Sequence, residues 1–207
     1  MSFKKFVIFS AVTAALGTVC AAVQPAMALT SSPTHSSHPT YTVDEVQDAL
    51  RDTVENHYNL YKDKPVKYPE HSVSQVKVLY FIQHDEKVIL VGSCQIDRKE
   101  HIITGTFGRD RTTGKLVGFS GGWVHRETVK GPLYWSMGAD EHEADISGVV
   151  LDKSIVKVRV TPIPHGSPVL LSVNPKGYFA AVVPLQGKYR HAPRLLIEGL
   201  GSSNELV

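Results

Sequence analysis

The sequence predicts an α+β protein that is mainly β, with one N-terminal helix, an antiparallel meander and a small C-terminal β lobe. Three observations lead to this prediction. Residues 43–58 form one amphipathic segment, with Val46, Leu50 and Val54 at helical spacing. From residue 73 onward, β-branched and aromatic runs alternate with short polar turns, as in antiparallel strands. The chain has 207 residues, of which 42% are hydrophobic, and this is enough to build an ordinary core.

The helix has a defined beginning and end in the sequence. Thr42 and Glu45 have the spacing of a capping box, which predicts that the helix begins at Val43. Pro65 and Pro69 exclude a helix after it.

Eight strands are predicted after the helix. In the segment 155–163, Val158 and Val160 alternate with Lys157 and Arg159, which indicates one buried and one wet face. The predicted strands cover residues 76–82, 87–91, 101–107, 116–125, 145–152, 155–163, 169–173 and 178–184.

The glycines around Ser120 lack the G-x-S-x-G spacing of a hydrolase nucleophile, so we expect them to allow close approach of another backbone.

We divide the chain into four parts. Residues 1–28 have the pattern of a signal peptide: Lys4 and Lys5 precede an apolar run, and small residues occupy the positions before the expected cleavage after Ala28. Residues 29–40 are a Ser/Thr/Pro/His linker. Residues 41–140 form the helix-plus-meander lobe and residues 145–207 the small β lobe packed on it, with the acidic stretch between them as the seam. We therefore expect a secreted or envelope-associated protein without stable membrane insertion.

The charge of the chain argues against nucleic acid as a partner. The formal net charge is +2, but both charged residues of the segment 1–28 are lysines, so its removal leaves 20 basic and 20 acidic residues. A neutral domain lacks the basic footprint that binds polyanions. All ten histidines remain, and imidazoles become cationic in mildly acid surroundings.

Cys94 with a histidine is one candidate catalytic set. A thiolate nucleophile needs a nearby base, and His84, His101 and His125 all lie on or near neighbouring predicted strands. The residues around Cys94 match no nucleophile signature, and a lone cysteine within a strand is usually a small buried hydrophobe. We therefore favour a structural role for Cys94 and predict no catalytic residues.

Two further clusters are candidates for binding. Carboxylates and an imidazole crowd the stretch 140–145 and could offer ligands to a cation, but we favour a solvated charged connection and predict neither a metal nor a cofactor. Aromatic residues near a basic side chain could form a recognition surface, with burial in the core as the alternative. The metal candidates are Asp140, Glu141, His142, Glu143 and Asp145, and the binding candidates are Trp123, Tyr134, Trp135 and Arg126.

Motifs spread over residues 70–185 resemble a group of uncharacterised exported proteins of Gram-positive spore-forming bacteria. The resemblance implies a helix-plus-meander half followed by a small β half, and an exported location; it implies no activity. The motifs are Lys77-Val78-Leu79-Tyr80, Gly118-Phe119-Ser120-Gly121-Gly122-Trp123, Ile146-Ser147-Gly148-Val149-Val150, Ile155-Val156-Lys157-Val158 and Gly177-Tyr178-Phe179.

The sequence favours an exported, non-catalytic binding or regulatory module of the cell envelope or extracellular space, with an envelope protein or wall component as partner. One alternative is a thiol- or metal-dependent hydrolytic enzyme that uses Cys94 and nearby histidines. Another is a secreted inhibitor of an exported protein, presented through the turns at 110–114 or 164–168.

Overall fold

The computed structural model describes residues 40–59, 72–164, 166–185 and 193–207. In these ranges the chain forms one α-helix and ten strands in antiparallel sheets, which confirms the prediction of a mainly β α+β fold. The predicted signal peptide, and all of the predicted linker except Thr40, lie outside the described residues.

Helix α1 (Val43–Asn59) begins where the capping box predicts. The backbone N–H of Thr42 donates to Glu45 Oε2 at 2.7 Å, and the N–H of Glu45 donates back to Thr42 Oγ1 at 3.3 Å. These bonds satisfy two backbone donors at the start of the helix. Val46, Leu50 and Val54 are fully buried, so the apolar side of the helix is the one that packs on the sheet.

The first sheet is the predicted meander. It consists of β1 (Val73–His84), β2 (Lys87–Ile96), β3 (Lys99–Arg109) and β4 (Leu116–His125). The strands lie in this order, and each neighbouring pair is antiparallel. A single 3-10 turn, Arg126–Thr128, follows the last strand.

The remaining strands form two further sheets of three strands each. The second sheet consists of β5 (Leu133–Ala139), β6 (Glu143–Val150) and β9 (Tyr178–Pro184), with β6 in the middle. The third sheet consists of β7 (Lys157–Ile163), β8 (Val169–Ser172) and β10 (Arg194–Leu200), with β7 in the middle. Strands β5 and β10 were not among the predicted strands.

The helix and the three sheets stack as four layers. Leu90, Ile103 and Phe107 of the first sheet form a core with the helix. The alternate residues Ile89 and Ile102 are also buried and lie on the other face of that sheet, against the second sheet. The far face of the second sheet encloses another core with the third sheet. That core contains Ile146, Val158, Val160, Leu171, Phe179 and Val183.

The acidic stretch 140–145 covers a turn and the beginning of a strand in the second sheet. Strand β5 pairs with β6, with Ala139 opposite Ala144, so residues 140–142 are the turn of a hairpin and Glu143 already belongs to β6. The hairpin starts within the part of the chain that we assigned to the first lobe. It forms because both strands bury one face against the third sheet.

Two glycines allow β3 and β4 to pack closely. Gly105 lies opposite Gly121, and a Cβ on either would collide with the ring of Phe119 and with backbone of the neighbouring strand. This close approach agrees with the expectation for the glycines around Ser120.

The side chain of Gln47 covers part of the outer edge of β1. Its Nε2 donates to the carbonyl of Val76 at 2.7 Å, and its Oε1 accepts from the N–H of Val78 at 2.8 Å. This amide therefore makes the pair of hydrogen bonds that an added strand would make.

Candidate functional site

Three candidate residues lie side by side on the helix-facing side of the first sheet. Cys94 of β2 is opposite His101 of β3, and His101 is opposite His125 of β4. The structure thus brings Cys94 together with two of the three histidines that we considered as its base. The third, His84, lies at the opposite end of β2, beside Lys87.

Cys94 is buried in the core under the helix. The residue is 1% exposed and contacts the cluster that contains Val54 and Ile103. Burial raises the pKa of the Cys94 thiol to about 11. Because the thiolate is the reactive form, Cys94 has the properties of a structural cysteine.

The two histidines have different hydrogen-bond environments. His101 Nδ1 lies 2.9 Å from the carbonyl oxygen of Lys99. A carbonyl can only accept, so Nδ1 carries the proton in this bond, and in the neutral imidazole Nε2 carries the lone pair. His125 Nε2 lies 3.7 Å from Glu127 Oε2, and the two imidazole rings are 5.3 Å apart between centroids.

Trp123 belongs to the same surface as the histidine pair. It precedes His125 by two residues on β4 and therefore points to the same face. The ring of His57, in the last turn of α1, meets the indole edge-on at a centroid distance of 4.6 Å. We call this half-buried group, His57, His101, Trp123 and His125, the histidine–tryptophan face.

The other predicted binding residues are only partly brought together. Arg126 follows His125 directly, and its guanidinium lies 3.5 Å from Glu100 Oε1, so it borders the histidine–tryptophan face. Trp135 packs in the core between the second and third sheets. Tyr134 is the preceding residue on β5 and points to the opposite side of that strand. The aromatic set thus does not form one surface.

The predicted metal ligands surround a lysine. Lys87 Nζ lies 2.6 Å from Glu143 Oε1, 3.3 Å from Asp140 Oδ2 and 3.4 Å from Asp145 Oδ2. Lys87 is the first residue of β2, so this ion-pair cluster joins the first sheet to the β5–β6 hairpin. Glu141 and His142 are exposed in the turn.

The electrostatics of this cluster follow from burial, hydrogen bonds and neighbouring charges. Burial by itself would lower the pKa of Lys87, but the hydrogen bond to Glu143 and the charge of Asp145 raise it above its usual value. Asp145 is only 7% exposed, and burial raises its pKa even though Lys87 opposes the shift. The backbone N–H groups of His142 and Glu143 lower the pKa of Asp140. The ammonium group therefore occupies the position that we considered for a cation.

Sequence reasoning missed Lys87, because its partners are more than 50 residues away along the chain. The missed signal was its position at the beginning of a strand, next to the turn of the first hairpin.

Two negative findings apply to the described part of the chain. Among these residues, no group of three or more His, Cys, Asp or Glu side chains has an arrangement that could hold a metal ion. The helix found there is not long and apolar enough to cross a membrane.

Comparison of the chain with protein-family models, with curated proteins and with solved structures gives no match. The resemblance to exported proteins of Gram-positive bacteria stays a prediction from the motifs.

Proposed function

We propose that the chain is an exported, non-catalytic binding module, and that it engages a protein of the cell envelope or extracellular space through the histidine–tryptophan face and Arg126. The observation that carries the proposal is the grouping of Trp123 with three imidazoles and a guanidinium at one end of the first sheet. Tryptophan and arginine are the residues that dominate protein–protein hot spots.

The N-terminal pattern of residues 1–28 supports an exported location.

The state of Cys94 argues against the thiol enzyme. A nucleophilic cysteine is accessible and has a lowered pKa, whereas this thiol is buried and its pKa is raised. We expect native protein at pH 7.5 to leave Cys94 unmodified by a thiol reagent, and unfolded protein to be modified fully. Peptide mass mapping distinguishes Cys94 from Cys20, and rapid modification of Cys94 in native protein would favour the enzyme instead.

Capture from envelope extracts tests the binding function. The tagged chain is compared with a His125→Gln/Arg126→Ala variant, and the control is Arg111→Ala, because Arg111 pairs with Glu86 in the turns at the other end of the first sheet. We expect a protein that is captured by the wild type and the control and is lost with the double variant.

Equal capture by all three chains, or recovery of no specific protein, contradicts the proposal. Recovery of wall glycan in place of protein contradicts the proposed class of partner. Circular dichroism of each variant excludes unfolding as the cause of a loss.

A further inference from the structure

We propose that His101 and His125 form a two-histidine site for a divalent transition-metal ion such as Zn²⁺, Ni²⁺ or Cu²⁺. The two residues are direct partners across β3 and β4 and lie on the same face of the sheet. Directly opposed residues of antiparallel strands have Cβ atoms about 5 Å apart, which lets two side chains reach one ligand. The site requires no partner protein and stands independently of the proposed function.

The ring separation suits a shared ion. The imidazole centroids are 5.3 Å apart and the rings are inclined by 39°. Metal–nitrogen bonds are about 2.0–2.1 Å long, so two nitrogens on one ion are roughly 3 Å apart. The site therefore requires the two rings to rotate until one nitrogen of each is at that distance from the other.

The hydrogen bond of His101 prepares one ligand. Because Nδ1 donates to the carbonyl of Lys99 at 2.9 Å, the lone pair of His101 is on Nε2. In metal sites, a ligating histidine usually donates its other N–H to a carboxylate or a backbone carbonyl, which fixes the tautomer and the ring orientation. For His101, the backbone carbonyl of Lys99 is this hydrogen-bond acceptor.

The pair has charged neighbours of both signs. Glu127 Oε2 lies 3.7 Å from His125 Nε2, and Glu127 is 86% exposed in its side chain, so it is accessible to an ion at the surface. Glu100 lies nearby but is engaged by Arg126 at 3.5 Å.

The described residues supply two imidazoles and no arrangement of three ligating side chains, so water completes the coordination. Imidazole ligands suit zinc, copper and nickel, and the order of affinity places Cu²⁺ highest.

The fluorescence of Trp123 provides a readout, because this indole lies two residues from His125 on the same face of β4. We expect Cu²⁺ to quench the fluorescence of the full chain saturably at pH 7.5, and EDTA to reverse the quenching. Zn²⁺ is titrated in parallel by calorimetry and is expected to raise the melting temperature, since a ligand of the native state stabilises it.

Variants at both histidines test the site. His101→Gln and His125→Gln are each expected to weaken the saturable phase at least tenfold, whereas the control His84→Gln, which removes the histidine near Glu143, leaves it unchanged. Melting curves without metal establish that each variant folds.

A wild-type chain without saturable quenching and without a Zn²⁺-dependent stabilisation would overturn the proposal. So would an equal loss with His84→Gln, because that result would assign the binding to histidines in general.

Discussion

At the residue scale, Lys87 is expected to stabilise the fold through ion pairs outside the cores. It neutralises Asp145, a carboxylate that is almost entirely buried, and it joins two sheets. Removal of one partner from a buried ion pair is costly, because the other charge stays buried without compensation.

We therefore expect Lys87→Met to lower the free energy of unfolding by ~3 kcal/mol, measured by urea denaturation at pH 7. Lys87→Arg keeps the charge and should restore most of the stability. The exposed Lys153, changed to Met, serves as the control and should leave stability nearly unchanged. A loss below the error of the measurement for Lys87→Met would show that the cluster is not stabilising.

Lys87 also makes the stability of the protein depend on pH. The pKa of Lys87 is higher in the folded than in the unfolded chain, so its stabilising contribution is full below about pH 10.5 and is lost as the pH rises beyond that value. The wild type should therefore lose more stability than Lys87→Met when the pH is raised from 9 to 11. Parallel curves for the two proteins would contradict this linkage.

At the scale of the elements, the pairing of β3 with β4 depends on glycines that have no room for a side chain. A Cβ on Gly105 would meet the Phe119 ring and the backbone carbonyl of Ser120, whereas a Cβ on Gly122 would meet nothing within 4 Å. Backbone moves less readily than the end of a flexible side chain, so the contact at Gly105 is costly to relieve.

We expect Gly105→Ala to destabilise the protein by about 2 kcal/mol, in the range for overpacking, and Gly122→Ala to be nearly neutral. Thermal unfolding of both variants measures the difference. Equal effects would indicate that the close approach at Gly105 is not a constraint.

A helix or strand could be predicted from the sequence where the spacing of its apolar residues is regular. Helix α1 was correct because Thr42 and Glu45 mark its start and three valine or leucine residues mark its buried side. Strand β5 was missed because Ser136 and Gly138 interrupt its apolar residues, and β10 because Glu198 and Gly199 do the same near its end. Strand β10 also pairs with a strand distant in sequence, β7, whereas β5 pairs with the adjacent β6.

For the candidate site, contacts between neighbouring strands could be predicted, but contacts between packed sheets could not. The proximity of Cys94 to His101 and His125 could be anticipated, because short turns between strands imply direct neighbours. The separation of Tyr134 from Trp135 follows from strand alternation once β5 is known. The partners of Lys87 required the packing of two sheets, which no local pattern encodes.

At the scale of the whole molecule, a buried layer between the first and second sheets connects the two hydrophobic cores. Ile89 and Ile102 are buried there from one side, and Ser147 and Val149 from the other. Because neither sheet can leave this layer without exposing apolar surface, we expect the two cores to unfold together.

Phe107→Ala in the first core and Phe179→Ala in the second should each lower the stability by about 3–5 kcal/mol in one shared transition. Both phenylalanines are 1% exposed. The single-tryptophan variants Trp135→Phe and Trp123→Phe report on the first and second core respectively, and their unfolding curves should coincide. Two separate transitions, each shifted by only one of the alanine variants, would contradict shared unfolding.

The amide of Gln47 has a consequence for self-assembly. An uncovered edge strand can pair with an edge of another molecule and seed aggregates, and proteins commonly block this with a side chain or a bulge. Gln47 fills the hydrogen-bonding positions of Val76 and Val78, and the register of β1 is irregular on either side of them.

Gln47→Leu should therefore make the protein form oligomers as its concentration rises, measured by light scattering. The control Asp52→Leu, on the exposed side of the same helix, should leave the protein monodisperse. The Gln47 side chain thus prevents two molecules from pairing through the edge of β1.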